Sequence, residues 1–178
     1  MSESTQKITT IMQGDFAVSA DANEAFSTIL GSCIAVCLHD AGRKIGGMNH
    51  FLLPTAGSSS DTAQLKYGTN AMELLINNIL REGGSRSRLT AKLFGGATLN
   101  AKLGDIGRSN ITFARAFLAR EAIPCVSESL GGDRARRIRF CPTTGHAKQI
   151  LIPSSACNDL DLVDPVRRPV TQPEITLF

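Results

Sequence analysis

Cys33 and His50 are the residues of this 178-residue chain whose types and setting best suit covalent chemistry. Cys33 follows Gly31-Ser32 at a break that leads into an apolar run. A glycine-containing turn of this kind can leave a side chain open and backbone N–H groups unpaired, as an oxyanion hole requires. A thiol becomes a nucleophile when a neighbouring imidazole takes its proton. The pattern therefore suits a cysteine hydrolase, while Gly-Ser-Cys is also compatible with an ordinary tight turn before a strand.

The antiparallel pairing of residues 33–40 with residues 43–50, across a turn at Ala41-Gly42, decides whether the two side chains meet. A two-residue loop between them places Cys33 directly opposite His50, with Cβ atoms about 4.5–5.5 Å apart. A four-residue loop with residue 39 opposite residue 44 preserves this pairing. A three-residue loop instead places Asn49 opposite Cys33 and turns His50 to the other face. The sequence leaves both registers open.

The other cysteines and histidines offer less. Cys37 lies within the apolar run, where cysteine often serves as a small hydrophobe. His39 and His146 both fall at or near predicted turns, so they are poorer candidates for a base than His50. The chain has no C-x-x-C pair, no phosphate-binding loop and no dinucleotide fingerprint. We therefore expect neither a metal nor another cofactor.

Short strands and two helices are the elements that must position these residues. The periodicity predicts strands at 7–12, 15–19, 25–30, 33–40, 44–53, 89–94, 125–130, 136–141 and 145–152. Helical stripes cover residues 71–80 and 109–122, and residues 55–66 are predicted to form a loop. Many strands adjoin through short turns, which does not suit a doubly wound parallel fold. The predicted fold class is an α/β layered sandwich of mostly antiparallel or mixed sheet with two main helices.

Composition excludes several functional classes. The net charge of +3 is too mild for a nucleic-acid binder, and no apolar stretch is long enough to insert into a membrane. The polar N-terminus has no signal-peptide core, and the five cysteines are an odd number, so we expect a cytoplasmic protein with reduced thiols. Residues 1–152 are predicted to form a single domain. The proline-rich stretch 153–178 is predicted to be a tail or a surface strap.

The order of several motifs resembles the CheD family of chemotaxis proteins, the chemoreceptor glutamine deamidases. The resemblance covers about residues 8–150. Its motifs are LGSCIAVCL at 30–38, IGGMNHFLLP at 45–54, AMELL at 71–75, KLFGGA at 92–97 and GGD at 131–133.

This resemblance implies an α/β sandwich related to the deamidating domain of cytotoxic necrotizing toxins, with a Cys–His catalytic pair. Cys33 matches the family's nucleophile and His50 its histidine. The family's third member is a threonine six residues before the cysteine, and Ser27 occupies that position here. Ser27 is therefore the first choice for the third role and Thr28 the alternative.

The implied reaction converts receptor glutamine side chains to glutamate through a thioester. Backbone N–H groups at Ser32 and Cys33 would hold the oxyanion, and Asn49 would help shape the substrate cleft. The implied partners are the cytoplasmic helices of a chemoreceptor and the phosphatase CheC. Two other functions stay open: hydrolysis of receptor methyl esters by the same pair, and a non-catalytic adaptor that binds receptor or CheC.

Overall fold

The computed structural model describes residues 6–54, 61–101, 105–153 and 175–178. Its elements, in chain order, are β1 Lys7–Thr10, β2 Phe16–Ser19, β3 Glu24–Leu30, β4 Ile34–Asp40, β5 Ile45–Phe51, α1 Asp61–Arg81, a 3-10 turn at Arg86–Arg88, β6 Leu89–Gly95, α2 Ile106–Arg120, β7 Cys125–Leu130, β8 Arg136–Phe140, β9 Ala147–Leu151 and β10 Ile175–Leu177.

The strands form two five-stranded mixed sheets. Sheet A has the order β1-β3-β8-β9-β10, and sheet B has the order β2-β5-β4-β6-β7. Only the β1–β3 and β6–β7 pairs among these strands are parallel. Both helices contact sheet B, so the layers are sheet A, sheet B and the helices. The predicted α/β layered sandwich with two main helices is confirmed, and the implied relation to toxin domains stays a prediction.

Strand β4 is apolar from Ile34 to Leu38 because both of its faces are covered there. Ile34 and Val36 belong to the core between sheet B and the helices. Ala35 and Cys37 belong to the core between the two sheets. Side chains of a strand alternate between faces, so a central strand between two packed layers needs apolar residues at every position.

The helices begin earlier than the sequence predicts. Helix α1 starts at Asp61, inside the predicted 55–66 loop; residues 55–60 lie outside the described part. A carboxylate in the first turn is favourable at the positive end of the helix dipole, which explains a start among polar residues. Helix α2 starts at Ile106, and its first turn packs so closely that a Cβ at Gly107 would overlap the Gly96 carbonyl oxygen. No helix in the described segments is long and apolar enough to cross a membrane.

The β4–β5 hairpin has a register that the sequence did not predict. Asp40 pairs with Ile45 and Ala35 pairs with His50, so the loop has four residues, 41–44. Lys44 adopts a positive φ of 51°, and this left-handed residue closes the turn. Both predicted registers are wrong by two or more positions in their pairing, because Arg43 and Lys44 belong to the turn and β5 begins only at Ile45.

Asp40 ties this hairpin to the segment after α1. Its carboxylate is fully buried and accepts bonds from Arg88 Nε and Nη2, both at 2.9 Å. Backbone N–H groups of Gly42, Arg43 and Ser85 also donate to it. The Arg88 guanidinium and these N–H groups lower the pKa of Asp40 to about 2. A carboxylate with this many donors is stable only when it is ionised.

We expect Asp40→Asn to reduce the free energy of unfolding by about 1–3 kcal/mol at pH 7, because the bonds to a charged group are weakened. The pKa of Asp40 is lower in the folded state than in the unfolded chain. The contribution of ionised Asp40 to the free energy of unfolding is therefore complete above about pH 4 and is lost as pH falls toward 2. Urea unfolding at pH 7 and pH 3 measures both effects, and the gap between wild type and variant should narrow at pH 3. Asp105→Asn, at an exposed site, is the matched control.

The C-terminal residues 175–178 complete sheet A. Strand β10 pairs antiparallel with β9, and the Phe178 ring packs edge-on against Phe94 at 5.3 Å between centroids. The last four residues of the stretch predicted to be a tail or strap thus pack on the domain. Residues 154–174 of the same stretch lie outside the described residues.

Candidate active site

The bend at residues 31–33 is held by hydrogen bonds from outside it. Three successive carbonyls each accept one bond: Gly31 from Ala97 N–H at 2.9 Å, Ser32 from Asn110 Nδ2 at 2.8 Å, and Cys33 from Gly96 N–H at 2.8 Å. Two of these donors follow β6 and the third lies on α2. The end of β6 and one turn of α2 therefore fix the backbone that carries Cys33.

Gly95 lets the end of β6 approach this bend. Its φ is +115°, and a Cβ there would overlap the Cys33 carbonyl oxygen. A side chain is excluded on both grounds, because this backbone conformation is strained for L residues and the space is occupied.

The Cys33 thiol is half-buried and packs against the core between the sheets. Its Sγ lies 3.4 Å from Gln13 Oε1, in the turn between β1 and β2. Burial raises the pKa of the Cys33 thiol to about 11. The resting side chain is therefore a neutral thiol at neutral pH, and it needs a base to become a nucleophile. The sequence analysis did not identify Gln13, whose only signal is its place beside the turn residue Gly14.

His50 lies on the same face of sheet B as Cys33. His50 is opposite Ala35, and alternation places residue 33 on the face that carries residue 35. If the register continues one residue past the strand, Cys33 and His50 are diagonal neighbours, a relation that typically separates Cα atoms by about 7–8 Å. The structure therefore brings the two onto one face by a different register from either predicted one.

Hydrogen bonds on one side of the His50 ring fix its tautomer. The hydroxyl of Thr28 donates to the Ile11 carbonyl at 2.7 Å, so its oxygen is free to accept. His50 Nδ1 lies 2.8 Å from this oxygen and 3.3 Å from the Ile11 carbonyl oxygen. Both neighbours act as acceptors toward Nδ1, so Nδ1 carries the proton. Nε2 is then the unprotonated nitrogen, and it is buried with no hydrogen-bond partner among the described residues.

Burial also lowers the pKa of His50, although the Ile11 carbonyl and Asp15 oppose the shift. The imidazole is therefore neutral at neutral pH, which is the form that a general base needs. The site holds a neutral thiol and a neutral imidazole rather than a preformed ion pair.

The structure does not bring Ser27 to His50. Along β3, Phe26 and Leu30 point into the core between the sheets, and Thr28 shares their face by alternation. Ser27 points to the outer face of sheet A, and its hydroxyl donates to the Ile138 carbonyl at 3.0 Å. The first-choice assignment of Ser27 is therefore corrected to the alternative, Thr28, as the hydroxyl beside the imidazole.

Asn49 lies away from the proposed cleft, whereas Ser32 lies in the bend that carries Cys33. The Asn49 side chain is 2% exposed and lies on the helix-facing side of β5, where its Oδ1 accepts from Val36 N–H at 3.0 Å. Asn49 is on the opposite face from His50, so the prediction that Asn49 lines the cleft with Cys33 is wrong. Ser32 lies in the 31–33 bend with its carbonyl held by Asn110, and its role in binding substrate stays a prediction.

Exposed apolar side chains occur near parts of this site. Met12 adjoins Gln13 in the turn beside Cys33. Tyr67 and Leu74 of α1 line a small cavity together with His50. A cluster of exposed apolar residues around a reactive group is typical of a surface that binds another macromolecule.

The chain also matches known proteins over most of its length. The family model described as "CheD chemotactic sensory transduction" matches residues 52–149, which begin just after His50. A Cereibacter sphaeroides relative is 51% identical over 86% of this chain and 76% of its own length, and an Acidiphilium cryptum relative is 53% identical over 80% and 76%. Both are named "Probable chemoreceptor glutamine deamidase CheD".

A Ruegeria relative with the name "Probable chemoreceptor glutamine deamidase CheD 1" is 44% identical over 95% of this chain and 94% of its own length. Among solved structures, a Neisseria meningitidis protein of the DUF152 family overlaps 71% of this chain and 64% of its own, with a TM-score of 0.47 and 12% identity. The family match spans more than half of the chain, and the relatives extend it across the 31–33 bend and β5. This chain belongs to the CheD family.

Proposed function

We propose that this protein is a chemoreceptor glutamine deamidase that uses Cys33 as nucleophile and His50 as general base. The names of relatives at 44–53% identity support the activity. The observation that carries the mechanism is the bond between Thr28 and His50 Nδ1, which leaves Nε2 unprotonated on the face that Cys33 shares.

In the first half of the reaction, His50 Nε2 takes the proton from Cys33 Sγ. The thiolate attacks the side-chain amide carbon of a glutamine, and the carbonyl oxygen becomes an oxyanion. Backbone N–H groups of Ser32 and Cys33 stabilise this charge, as neither donates to another backbone group in the described segments. The imidazolium then protonates the departing nitrogen, and ammonia leaves a thioester on Cys33.

In the second half, neutral His50 takes a proton from water, and the resulting hydroxide attacks the thioester. The intermediate collapses, Cys33 recovers its proton from the imidazolium, and the glutamine has become glutamate. One water is consumed and one ammonia is released per turnover. Thr28 acts as a positioning residue, because its oxygen holds Nδ1–H through every proton transfer.

The substrate class is a glutamine on a surface helix of a chemoreceptor's cytoplasmic part. Such a side chain can reach a half-buried thiol without local unfolding. The exposed Met12, which adjoins Gln13 beside Cys33, suits a helix that carries apolar neighbours beside its glutamine. Conversion adds a negative charge to a packed helical bundle and so changes the balance between its signalling states. The CheC partnership stays a prediction.

The test incubates the purified protein with a receptor cytoplasmic fragment and follows ammonia release together with peptide mass spectrometry. We expect one ammonia for each glutamine that becomes glutamate. Release of methanol from a methylated fragment, with no ammonia, would replace this function with the methylesterase. Stable binding of the fragment with neither product would replace it with the adaptor.

Thr28→Ala should reduce kcat about 10–100-fold, because Nδ1–H loses its nearest acceptor and the imidazole is less well oriented. The acid limb of the pH–rate profile should shift as well, which loss of packing alone would not cause. Thr28→Ser keeps the oxygen and should recover most of the rate. Ser27→Ala, one residue away on the outer face, is the matched control and should keep the wild-type rate and profile. A larger loss in Ser27→Ala than in Thr28→Ala would contradict the assignment.

A further inference from the structure

Asn110 connects the two segments that carry the proposed catalytic pair. It lies on α2, is fully buried, and uses both ends of its side-chain amide. Its Nδ2 donates to the Ser32 carbonyl at 2.8 Å, and its Oδ1 accepts from Leu53 N–H at 2.9 Å. Ser32 precedes Cys33 directly, and Leu53 follows His50 by three residues. A single side chain thus links the bend that carries the proposed nucleophile to the segment just after the strand that carries the proposed base.

The orientation of this amide is unambiguous. A backbone carbonyl can only accept and a backbone N–H can only donate, so Nδ2 must face Ser32 and Oδ1 must face Leu53. Rotating the amide by 180° would break both bonds. The two contacts therefore demand an asparagine, since a carboxylate at the same place has no donor for the Ser32 carbonyl.

The bond to Ser32 also determines where the Cys33 N–H points. The described backbone has no cis peptide bond, and the C=O and N–H of a trans peptide point in opposite directions. The Ser32 carbonyl and the Cys33 N–H belong to one peptide unit. When Asn110 holds the carbonyl toward α2, the N–H is directed away from α2.

The Cys33 N–H lies near its own thiol, because the backbone nitrogen and Sγ of one cysteine are separated by only three bonds. An N–H beside the nucleophilic sulfur is placed where the oxygen of an attacked amide carbon becomes negative. The carbonyls on either side, Gly31 and Cys33, are held by backbone N–H groups that only a proline substitution would remove. Asn110 supplies the one side-chain bond in the set.

We propose that Asn110 is a positioning residue that aims the Cys33 N–H into the oxyanion hole. This inference rests on the proposed deamidase function. Asn110 bonds to the Ser32 carbonyl and the Leu53 N–H and not to Cys33 Sγ or the His50 ring. It therefore acts on the transition state through the Ser32–Cys33 peptide unit. The acidity of the Cys33 thiol should not depend on it.

The test compares two reactions of the same sulfur in Asn110→Asp and wild type. Deamidation of a receptor fragment forms an oxyanion, whereas alkylation of Cys33 by iodoacetamide is a displacement at carbon that forms none. We expect kcat for deamidation to fall about 10–100-fold, with KM within about twofold. The alkylation rate of Cys33 and its pH dependence, read from the Cys33 peptide by mass spectrometry, should stay at the wild-type values.

Two outcomes would overturn the proposal: an unchanged kcat in the folded variant, or parallel losses in deamidation and alkylation, which would indicate a purely structural role. If Asn110→Asp does not fold, Asn110→Ser, which can bond only one of the two partners, carries the same comparison. Cys33→Ala is assayed in parallel. Wild-type deamidation by Cys33→Ala would refute the proposed mechanism, whereas an inactive Cys33→Ala beside a fully active Asn110 variant would refute only this inference.

Discussion

Replacing Cys33 by alanine should reduce deamidation of a receptor fragment on the order of 10⁴-fold or more, because the covalent route through a thioester disappears. The other described cysteines, Cys37, Cys125 and Cys141, all lie outside the 31–33 bend. Cys37 is fully buried and inert, with a pKa raised by burial, and Cys125 is on the exposed edge strand β7. The variant should fold normally, because the thiol is half-buried and its one hydrogen bond is a weak contact of 3.4 Å with Gln13.

The measurement is a time course of Gln-to-Glu conversion by peptide mass spectrometry, with thermal unfolding recorded for the same preparations. Cys125→Ala is the matched control, since it removes an exposed thiol far along the chain from the 31–33 bend, and we expect the wild-type rate from it. A second sign of the mechanism is an acyl adduct on Cys33, trapped when the reaction is quenched in acid. Conversion by Cys33→Ala at the wild-type rate would exclude Cys33 as the nucleophile.

The fold class could be predicted from the sequence because its signals are local, whereas the catalytic roles of Cys33 and His50 stay predictions. The apolar run of β4 and the helical stripe of α1 are set by periodicity within a few residues. Cys33 was distinguished from the other cysteines by the Gly-Ser before it. These features depend only on residues that are close together in the chain, so they can be recognised in a single sequence.

The hairpin register could not be predicted because the turn has no strong signal. Ala41-Gly42 suits two-, three- and four-residue loops, and the observed turn depends on Lys44 adopting a left-handed conformation that its residue type does not favour. Asp40 accounts for this turn: its carboxylate accepts from Gly42 and Arg43 N–H while Arg88, distant in the sequence, neutralises it. A turn that is stabilised by a distant arginine has no short-range signature.

Strand alternation is the sequence signal that separates Thr28 from Ser27. Phe26 and Leu30 are large apolar residues at even positions of a short strand, which predicts that the even face is buried. Thr28 shares that face, so alternation alone favours it over Ser27. Asn110 had no comparable signal, since its partners lie 57 and 78 residues away in the chain.

The pH dependence of a His50→Gln variant tests the base most directly. Burial raises the pKa of Cys33 to about 11, so without a base only about one thiol in 10⁴ is ionised at pH 7. We therefore expect His50→Gln to be about 10³–10⁴-fold slower than wild type at pH 7, since loss of the proton donor for ammonia adds to loss of the base. Glutamine fills most of the space of the imidazole, which limits the cost of a cavity.

The two proteins should differ in the shape of the pH–rate profile as well as in rate. Wild type needs neutral His50. Burial lowers the pKa of His50 below its usual value of 6.5, so the wild-type rate should decrease at pH values below that pKa and stay level at higher pH. In His50→Gln the thiolate must form by direct ionisation, so the rate should rise about tenfold per pH unit from 7 toward 11. The gap between the proteins therefore narrows as pH rises. A level profile for His50→Gln between pH 7 and 9 would mean that another group takes the proton from Cys33, and the assignment of His50 as the base would then be wrong.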